Sequence, residues 1–169
     1  MALSLKSRSW SEFFIGDIAD IKSGSRLIKD DMVDGRFPYV GASQSNNGVT
    51  DFISNENDSL DSNILGVNTR GSVGECFYHP YPTLFSDSVK RLSLKNISGE
   101  ISHYLFLKNA ILKQKDKYSF GYQFSGERMS RQKIMLPVND HGQPDWDFMS
   151  EYMQSLMKSK RAQYASANA

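Results

Sequence analysis

Residues that favour turns interrupt the first half of the chain every few positions, so only short secondary-structure elements fit between them. The turn signals are Gly24, Gly35, Pro38, Gly41, Asn46-Asn47-Gly48, Gly66, Gly71, Gly74, Pro80 and Pro82. Strand-like runs lie at residues 37–40, 63–68, 75–78 and 89–94. Short strands with frequent turns predict an α+β fold with a curled, mostly antiparallel β-sheet.

Two segments of the second half follow helical spacing and a third reads as a strand. Apolar positions from Ile101 to Leu112 recur at helical intervals and predict a helix over residues 100–115, packed on the sheet, with Ser98 able to cap its start. Residues 134–138 predict a final buried strand in which Pro137 implies an edge or a bulge. A C-terminal helix is expected after Pro144, with Asp145 as its N-cap.

An apolar stripe runs along this C-terminal helix and leaves two interpretations open. Its members recur at helical spacing: Phe148, Met149, Tyr152, Met153, Leu156 and Met157. The stripe could pack on its own domain, or it could pair with a helix of a partner or of a second copy. We therefore predict one domain over 1–143, followed by a C-terminal helix over 144–169.

The length and the cysteine content exclude several protein classes. The chain has 169 residues, enough for one domain and an appendage. Its apolar runs are too short to span a membrane, and its first residues do not resemble a signal peptide. The single cysteine, Cys76, excludes an internal disulfide and a multi-cysteine zinc site, and it reads as a small buried apolar residue. We expect a reducing cytoplasm as its location.

Charge is distributed unevenly although the net charge is only +1. Residues 37–87 carry six acidic side chains and a single basic one, Arg70, whereas residues 88–137 carry ten basic side chains and three acidic ones. A concentrated positive segment attracts polyanions. A solvated helix face would give the same composition, so the charge alone leaves both interpretations open.

The sequence lacks the motifs that catalysis by this chain would need. The three histidines (His79, His103 and His141) lie too far apart for metal-ligand spacing, so no metal site is expected. Neither a Gly-x-Ser-x-Gly elbow nor a P-loop is present, and Gly71 to Gly74 reads as a tight turn. We predict that the chain is not an enzyme, and a small hydrolase with an unrecognised site is the least favoured alternative.

Four polar segments carry the side-chain types that contact DNA. Arginine pairs with guanine, asparagine and glutamine pair with adenine, and lysines and hydroxyls hold phosphates. The candidate DNA-binding residues are Lys22, Ser23, Arg26, Gln44, Asn46, Asn47, Thr69, Arg70, Lys117, Tyr118, Tyr122, Gln123, Arg128 and Arg131. Each segment is also compatible with turn chemistry, and Arg70 could read a base or neutralise the acids around it.

The order of these segments resembles a known family of DNA-reading proteins. The matching pieces are Trp10 with residues 15–24, Phe37 to Ser43 with Asn46-Asn47-Gly48, Asn68 to Gly74, Tyr104 to Leu107, Lys117 to Gly121, and Ile134 to Met149. Together they resemble the target recognition domain of specificity (S) subunits in type I restriction–modification systems and of related type II B-subunits. No single motif is diagnostic, but the order and spacing are fairly specific.

The resemblance implies sequence-specific recognition of double-stranded DNA by a subunit without an active site. A methyltransferase (M) subunit would hold S-adenosylmethionine and modify adenine, and a nuclease (R) subunit is a further partner that the family allows. An S subunit has two recognition domains separated by long helices, whereas the resemblance implies one target recognition domain here, over 1–143, and the start of a spacer or dimerisation helix over 144–169. The chain could be a half-subunit that dimerises, a fragment, or part of a different assembly. A homodimer through the C-terminal helix would read a palindromic split site. The alternative is a protein-interaction module that uses the methionine-rich helix without direct base readout.

Overall fold

A computed structural model describes residues 3–119 and 121–168, which form nine strands and four α-helices. The strands are β1 (Ser9–Phe14), β2 (Ala19–Ser23), β3 (Asp34–Val40), β4 (Val49–Ile53), β5 (Ile64–Asn68), β6 (Cys76–His79), β7 (Leu84–Phe85), β8 (Val89–Leu94) and β9 (Lys133–Val138). The helices are α1 (Ile15–Ile18), α2 (Ile101–Leu112), α3 (Gly126–Ser130) and α4 (Trp146–Ala167).

The strands are divided among three small sheets. An antiparallel sheet in the order β2-β8-β5-β6 forms the centre, β1 pairs with β9, and β3 lies between β4 and β7. Only β3 and β7 run parallel among the strand pairs of the described chain. The predicted α+β class with mostly antiparallel pairing is confirmed, although the strands do not form one continuous curled sheet. Pro137 lies in an edge strand, as predicted, opposite Trp10.

The main core lies between the central sheet, the β1–β9 pair and the helices α2 and α4. Leu65 and Leu92 from neighbouring strands meet Leu107 and Ile111 of α2 there, and all four are at most 1% exposed. Fully burying side chains of this size contributes about 1.5–3 kcal/mol each. This core holds β8 rigidly, and the residues before and inside β8 support the candidate site described below.

The two long helices begin with different caps. In α2 the cap is Glu100, whose backbone N–H donates to Nδ1 of His103 at 3.0 Å while its carboxylate accepts from the His103 backbone. The predicted cap Ser98 is therefore wrong, because the helix starts at Ile101 and Ser98 lies too far upstream. Asp145 caps α4 as predicted, accepting from the Phe148 backbone at 3.0 Å.

The apolar stripe of α4 has two different fates in the structure. Phe148, Met149 and Met153 are at most 7% exposed because they pack inside this chain, which corrects their assignment to a partner surface. Tyr152 and Met157 are half-buried and Leu156 is exposed. Only these last three of the predicted partner-helix residues remain accessible to another helix.

A buried histidine occupies the edge of the central sheet. His79 of β6 is 0% exposed, and its ring lies 5.4 Å from the ring of Phe85 and 6.0 Å from that of Tyr81. Within the described parts of the chain, neither of its ring nitrogens has a hydrogen-bond partner. Burial without a compensating charge lowers the pKa of His79 from 6.5 to about 4.

His79 should make the fold sensitive to acid. The folded state holds the ring neutral, so the unfolded state binds more protons between the two pKa values, and stability is lost as the pH falls from 6.5 towards 4. Urea unfolding at pH 7 and at pH 4.5 should show that the parent chain loses about 2–3 kcal/mol more than His79→Leu does. Equal losses in both proteins would contradict a buried neutral His79.

Candidate DNA interface

The segment that leads into β8, residues 85–90, anchors two of the polar loops. The Gly24 backbone N–H donates to the Val89 carbonyl at 3.1 Å, and the Thr69 backbone N–H donates to the Ser88 carbonyl at 2.9 Å. The loop after β2 and the turn after β5 are therefore fixed to one stretch of backbone. We call residues 85–90 the anchor segment.

The loop between β3 and β4 is attached to the same assembly. The Asn68 side-chain amide donates to the Ser43 carbonyl at 3.0 Å, and that of Asn47 donates to the Tyr78 carbonyl at 3.3 Å. Asn46 and Asn47 have φ angles of 51° and 57°, in the left-handed region that asparagine tolerates better than most residues. These asparagines therefore shape an eight-residue loop, Gly41–Gly48, while Asn46 remains exposed.

The fourth polar segment is built on stacked aromatic rings. The ring of Tyr118 stacks on that of Phe124 at 4.1 Å and on that of Tyr122 at 5.8 Å, and its hydroxyl donates to Oε1 of Gln132 at 2.6 Å. Phe124 is 1% exposed, so the stack ties the segment to the core. Tyr118 is half-buried and acts here as a support, whereas Tyr122 is 49% exposed.

Lys90 links this aromatic segment to the other loops. Its Nζ donates to Oγ of Ser23 at 2.5 Å, and its stem passes Gly126, where a Cβ atom would come within 3.2 Å of Cε. No carboxylate of the described chain lies within ion-pair distance of Lys90. Partial burial and the positive charge of Arg70 lower the pKa of Lys90, and Asp87 offsets this only in part. The Lys90 ammonium therefore lacks a matched anion.

The buried side chain of Arg91 fixes the end of β2. Its side chain is 8% exposed, and its guanidinium lies 3.0 Å from the Asp61 carboxylate and donates to the Ser23 carbonyl at 3.2 and 2.8 Å. Sequence reasoning missed both Lys90 and Arg91 as site residues. The strand-like run at residues 89–94 predicted their strand, but the residues that Lys90 and Arg91 contact lie far away in the chain.

Arg70 remains compatible with both of its interpretations. Its guanidinium lies 3.6 Å from the Asp87 carboxylate, and the two side chains are 52% and 36% exposed. An ion pair this exposed is worth at most about 1 kcal/mol. Arg70 partly neutralises a nearby acid, and its side chain remains exposed enough to contact a base or a phosphate.

The predicted DNA-binding residues differ in how accessible they are. Tyr118 and Gln123 are half-buried, and the accessible ones are Lys22, Ser23, Arg26, Gln44, Asn46, Asn47, Arg70, Lys117, Tyr122, Arg128 and Arg131. Thr69 is a correction: it is 4% exposed, and its hydroxyl donates to the Ser88 carbonyl at 3.0 Å, so it supports the turn and cannot reach DNA.

Three further cations of the basic stretch have partners within the described chain. Lys115 forms an ion pair with Glu75, so its charge is already matched within the chain. Lys117 donates to Oε1 of Gln114 at 2.6 Å, and Arg131 lies 3.7 Å from Glu127 with both side chains at least 79% exposed. Hydrogen bonds recorded for residues 3–119 and 121–168 do not tie Lys117 or Arg131 to the anchor segment.

Other kinds of site find little support in the part of the chain that the structure describes. It contains no group of three or more His, Cys, Asp or Glu side chains placed to hold a metal ion. Burial raises the pKa of the Cys76 thiol to about 12, so a thiolate nucleophile is not available there. No described helix is both long enough and apolar enough to cross a bilayer.

Comparison with known proteins by sequence gives a family match and a relative. A family model described as "Type I restriction modification DNA specificity domain" matches residues 7–164. The specificity subunit S.BcgI of a type II restriction enzyme from Heyndrickxia coagulans is 52% identical over 153 residues, which are 90% of this chain and 45% of that protein. Both descriptions name a specificity component, in agreement with the prediction that this chain is not itself the enzyme.

Solved structures show the same fold at low sequence identity. The type I S subunit from M. genitalium matches 96% of this chain and 42% of its own with a TM-score of 0.67 at 21% identity. The HsdS subunit from Thermoanaerobacter tengcongensis matches 93% and 39% with a TM-score of 0.63 at 13% identity. The chain spans less than half the length of each relative. Since the family model covers nearly all of it, the chain belongs to the family of type I restriction modification DNA specificity domains.

Proposed function

We propose that this chain reads a short half-site in double-stranded DNA through the loops gathered around the anchor segment. The observation that supports this most directly is that residues 85–90 anchor two loops that are distant in sequence, while the Gly41–Gly48 loop is joined to the same assembly through Asn68. The Lys90 ammonium lies next to these loops and has no carboxylate partner among the described residues. Phosphates are anions that would complete such a site. The exposed amides and guanidiniums around it have the donor patterns that recognise base edges.

The loops divide into two chemical roles in this proposal. Ser23 and Lys90 are paired across β2 and β8, where a hydroxyl and an ammonium can hold the DNA backbone, and Lys22 is the exposed neighbour of Ser23 in β2. Arg26, Gln44, Asn46 and Arg70 are exposed on the loops beyond it and would contact base edges. Phosphate contacts set affinity for all sequences, whereas contacts to base edges set the preferred sequence.

The reaction itself belongs to partner chains in this proposal. A methyltransferase (M) subunit would bring S-adenosylmethionine and modify adenine at the site that this chain selects, and a nuclease (R) subunit would join in a restricting complex. The accessible part of the α4 stripe, Tyr152, Leu156 and Met157, is the surface proposed for a homodimer or a partner helix. The proposed location is the cytoplasm, where bacterial DNA is accessible.

Sequence preference of the parent chain tests the proposed function. The purified chain, alone and co-purified with a partner methyltransferase (M) subunit, is mixed with duplexes that carry a random central segment. Sequencing the bound fraction should reveal one short enriched motif, and adenine methylation by the complex should map to it. A bound fraction with the same sequence distribution as the input would contradict the proposal.

Variants at the anchor segment and on the loops around it should separate the phosphate-holding role from the base-reading role. Lys90→Gln should weaken binding to all duplexes alike and reduce the slope of log affinity against log salt by about 0.9, because one phosphate contact is lost. Arg70→Ala or Asn46→Ala should instead relax the enriched motif.

Lys158→Gln, in an exposed part of α4, is the matched control for loss of one positive charge. It should leave both the salt slope and the motif unchanged. The division of roles would be wrong if Lys90→Gln altered the motif, or if Arg70→Ala and Asn46→Ala both weakened all sequences equally.

A further inference from the structure

The guanidinium of Arg128 is held in a fixed position at the surface. Its Cζ lies 3.8 Å from the centroid of the Tyr122 ring, and its Nη1 donates to the Gln123 carbonyl at 2.9 Å. Its backbone N–H donates to Oγ of Ser125, the residue that caps α3. The ring contact and the hydrogen bond to Gln123 orient the guanidinium, and the bond to Ser125 fixes the backbone of Arg128. Because the side chain is already ordered, it loses less entropy when it binds a ligand.

Most of the hydrogen-bonding capacity of Arg128 is unused. A guanidinium has five N–H donors, and the Gln123 carbonyl takes one of them. No carboxylate of the described residues forms an ion pair with Arg128, in contrast to Arg131, which lies 3.7 Å from Glu127. The unused donors border an open polar groove of about 790 Å³. Two adjacent donors in a fixed plane match two adjacent acceptors.

The ring of Tyr122 is already engaged by its neighbours. Besides the Arg128 cation it stacks on Tyr118, with 8° between the ring planes and 5.8 Å between their centroids. Tyr118 in turn is fixed by Phe124 and by its hydrogen bond to Gln132. The stacked rings extend from the buried Phe124 through Tyr118 to Tyr122, and the Arg128 guanidinium packs on the last ring. Tyr122 therefore holds Arg128 in place against a part of the chain that is fixed to the core.

We infer that Arg128 is a specificity-determining residue that reads the O6/N7 edge of one guanine, and that Tyr122 is a positioning residue that acts through Arg128. This inference rests on the proposed function and adds the base type and the residue. Guanine presents two acceptors in one plane in the major groove, which suits a pre-oriented arginine fork. A phosphate also accepts an arginine fork, but it would give the same affinity for all sequences.

The test repeats the selection from random duplexes with the full chain and four variants. Arg128→Lys keeps the charge but loses the fork, so preference for guanine at one motif position should fall about 10-fold or more, with the other positions unchanged. Tyr122→Leu should lower the preference at that same position about 2- to 5-fold, whereas Tyr122→Phe should retain it, because the ring alone carries the interaction. Adding Tyr122→Leu to Arg128→Lys should have little further effect.

The outcomes separate this inference from the proposal on which it rests. No motif for the parent chain would overturn both. A motif that Arg128→Lys leaves intact, or a uniform loss of affinity for all sequences, would overturn the inference alone. An effect of Tyr122→Leu at a different motif position, or an equal effect of Tyr122→Phe, would show that Tyr122 does not act through Arg128. Circular dichroism of each variant confirms that the fold is retained.

Discussion

An ion pair between the buried Arg91 and the partly exposed Asp61 fixes the geometry on which the candidate site depends. Burying a charge is expensive unless an opposite charge and hydrogen bonds satisfy it. Here the guanidinium also donates to the Ser23 carbonyl, and the Asp61 backbone forms reciprocal hydrogen bonds with Thr83 at 3.0 and 2.9 Å. One arginine thus connects β8, the end of β2 and the loop before β5. Its value is conformational, because it places the loop that begins at Gly24.

The structure resolves why the chain has a basic segment without a net positive charge. Several cations of this segment serve the fold: Lys115 pairs with Glu75, Lys133 lies 2.8 Å from Glu12, and Arg91 is buried on Asp61. Lys90 and Arg128 lie near the loops without a carboxylate partner among the described residues. The two interpretations of the charge pattern therefore both hold, each for different residues.

Local patterns in the sequence were sufficient to predict many of the elements. The strand-like run in β8, the helical spacing of apolar residues in α2 and the Asp145 cap of α4 are signals that neighbouring residues carry. The strands β1, β2, β4 and β7 were not predicted, and their pairing with other strands stabilises them. The cap of α2 was misplaced by two residues because Glu100 and His103 form a reciprocal pair that the sequence does not reveal.

The candidate site was predictable in kind but not in detail. Polar loops rich in amides and arginine indicated DNA, yet Thr69 could not be separated from its exposed neighbour Arg70, since one points to Ser88 and the other to solvent. The apolar stripe on α4 was predicted, but the sequence did not show that Phe148, Met149 and Met153 would be the buried part of it, because this depends on how α4 packs on the rest of the chain. Lys90 and Arg91 depend on contacts with Ser23 and Asp61, and contacts over such separations have no local signature.

The most direct test of the account is whether the loops around the anchor segment bind one duplex together. Hydrogen–deuterium exchange of the chain with and without an excess of its enriched duplex measures this at the backbone amides. The account predicts slower exchange in residues 24–26, 43–48, 69–72 and 121–128, and no change over 158–167 at the end of α4. Protection confined to α4, or to only one of the four loops, would contradict it.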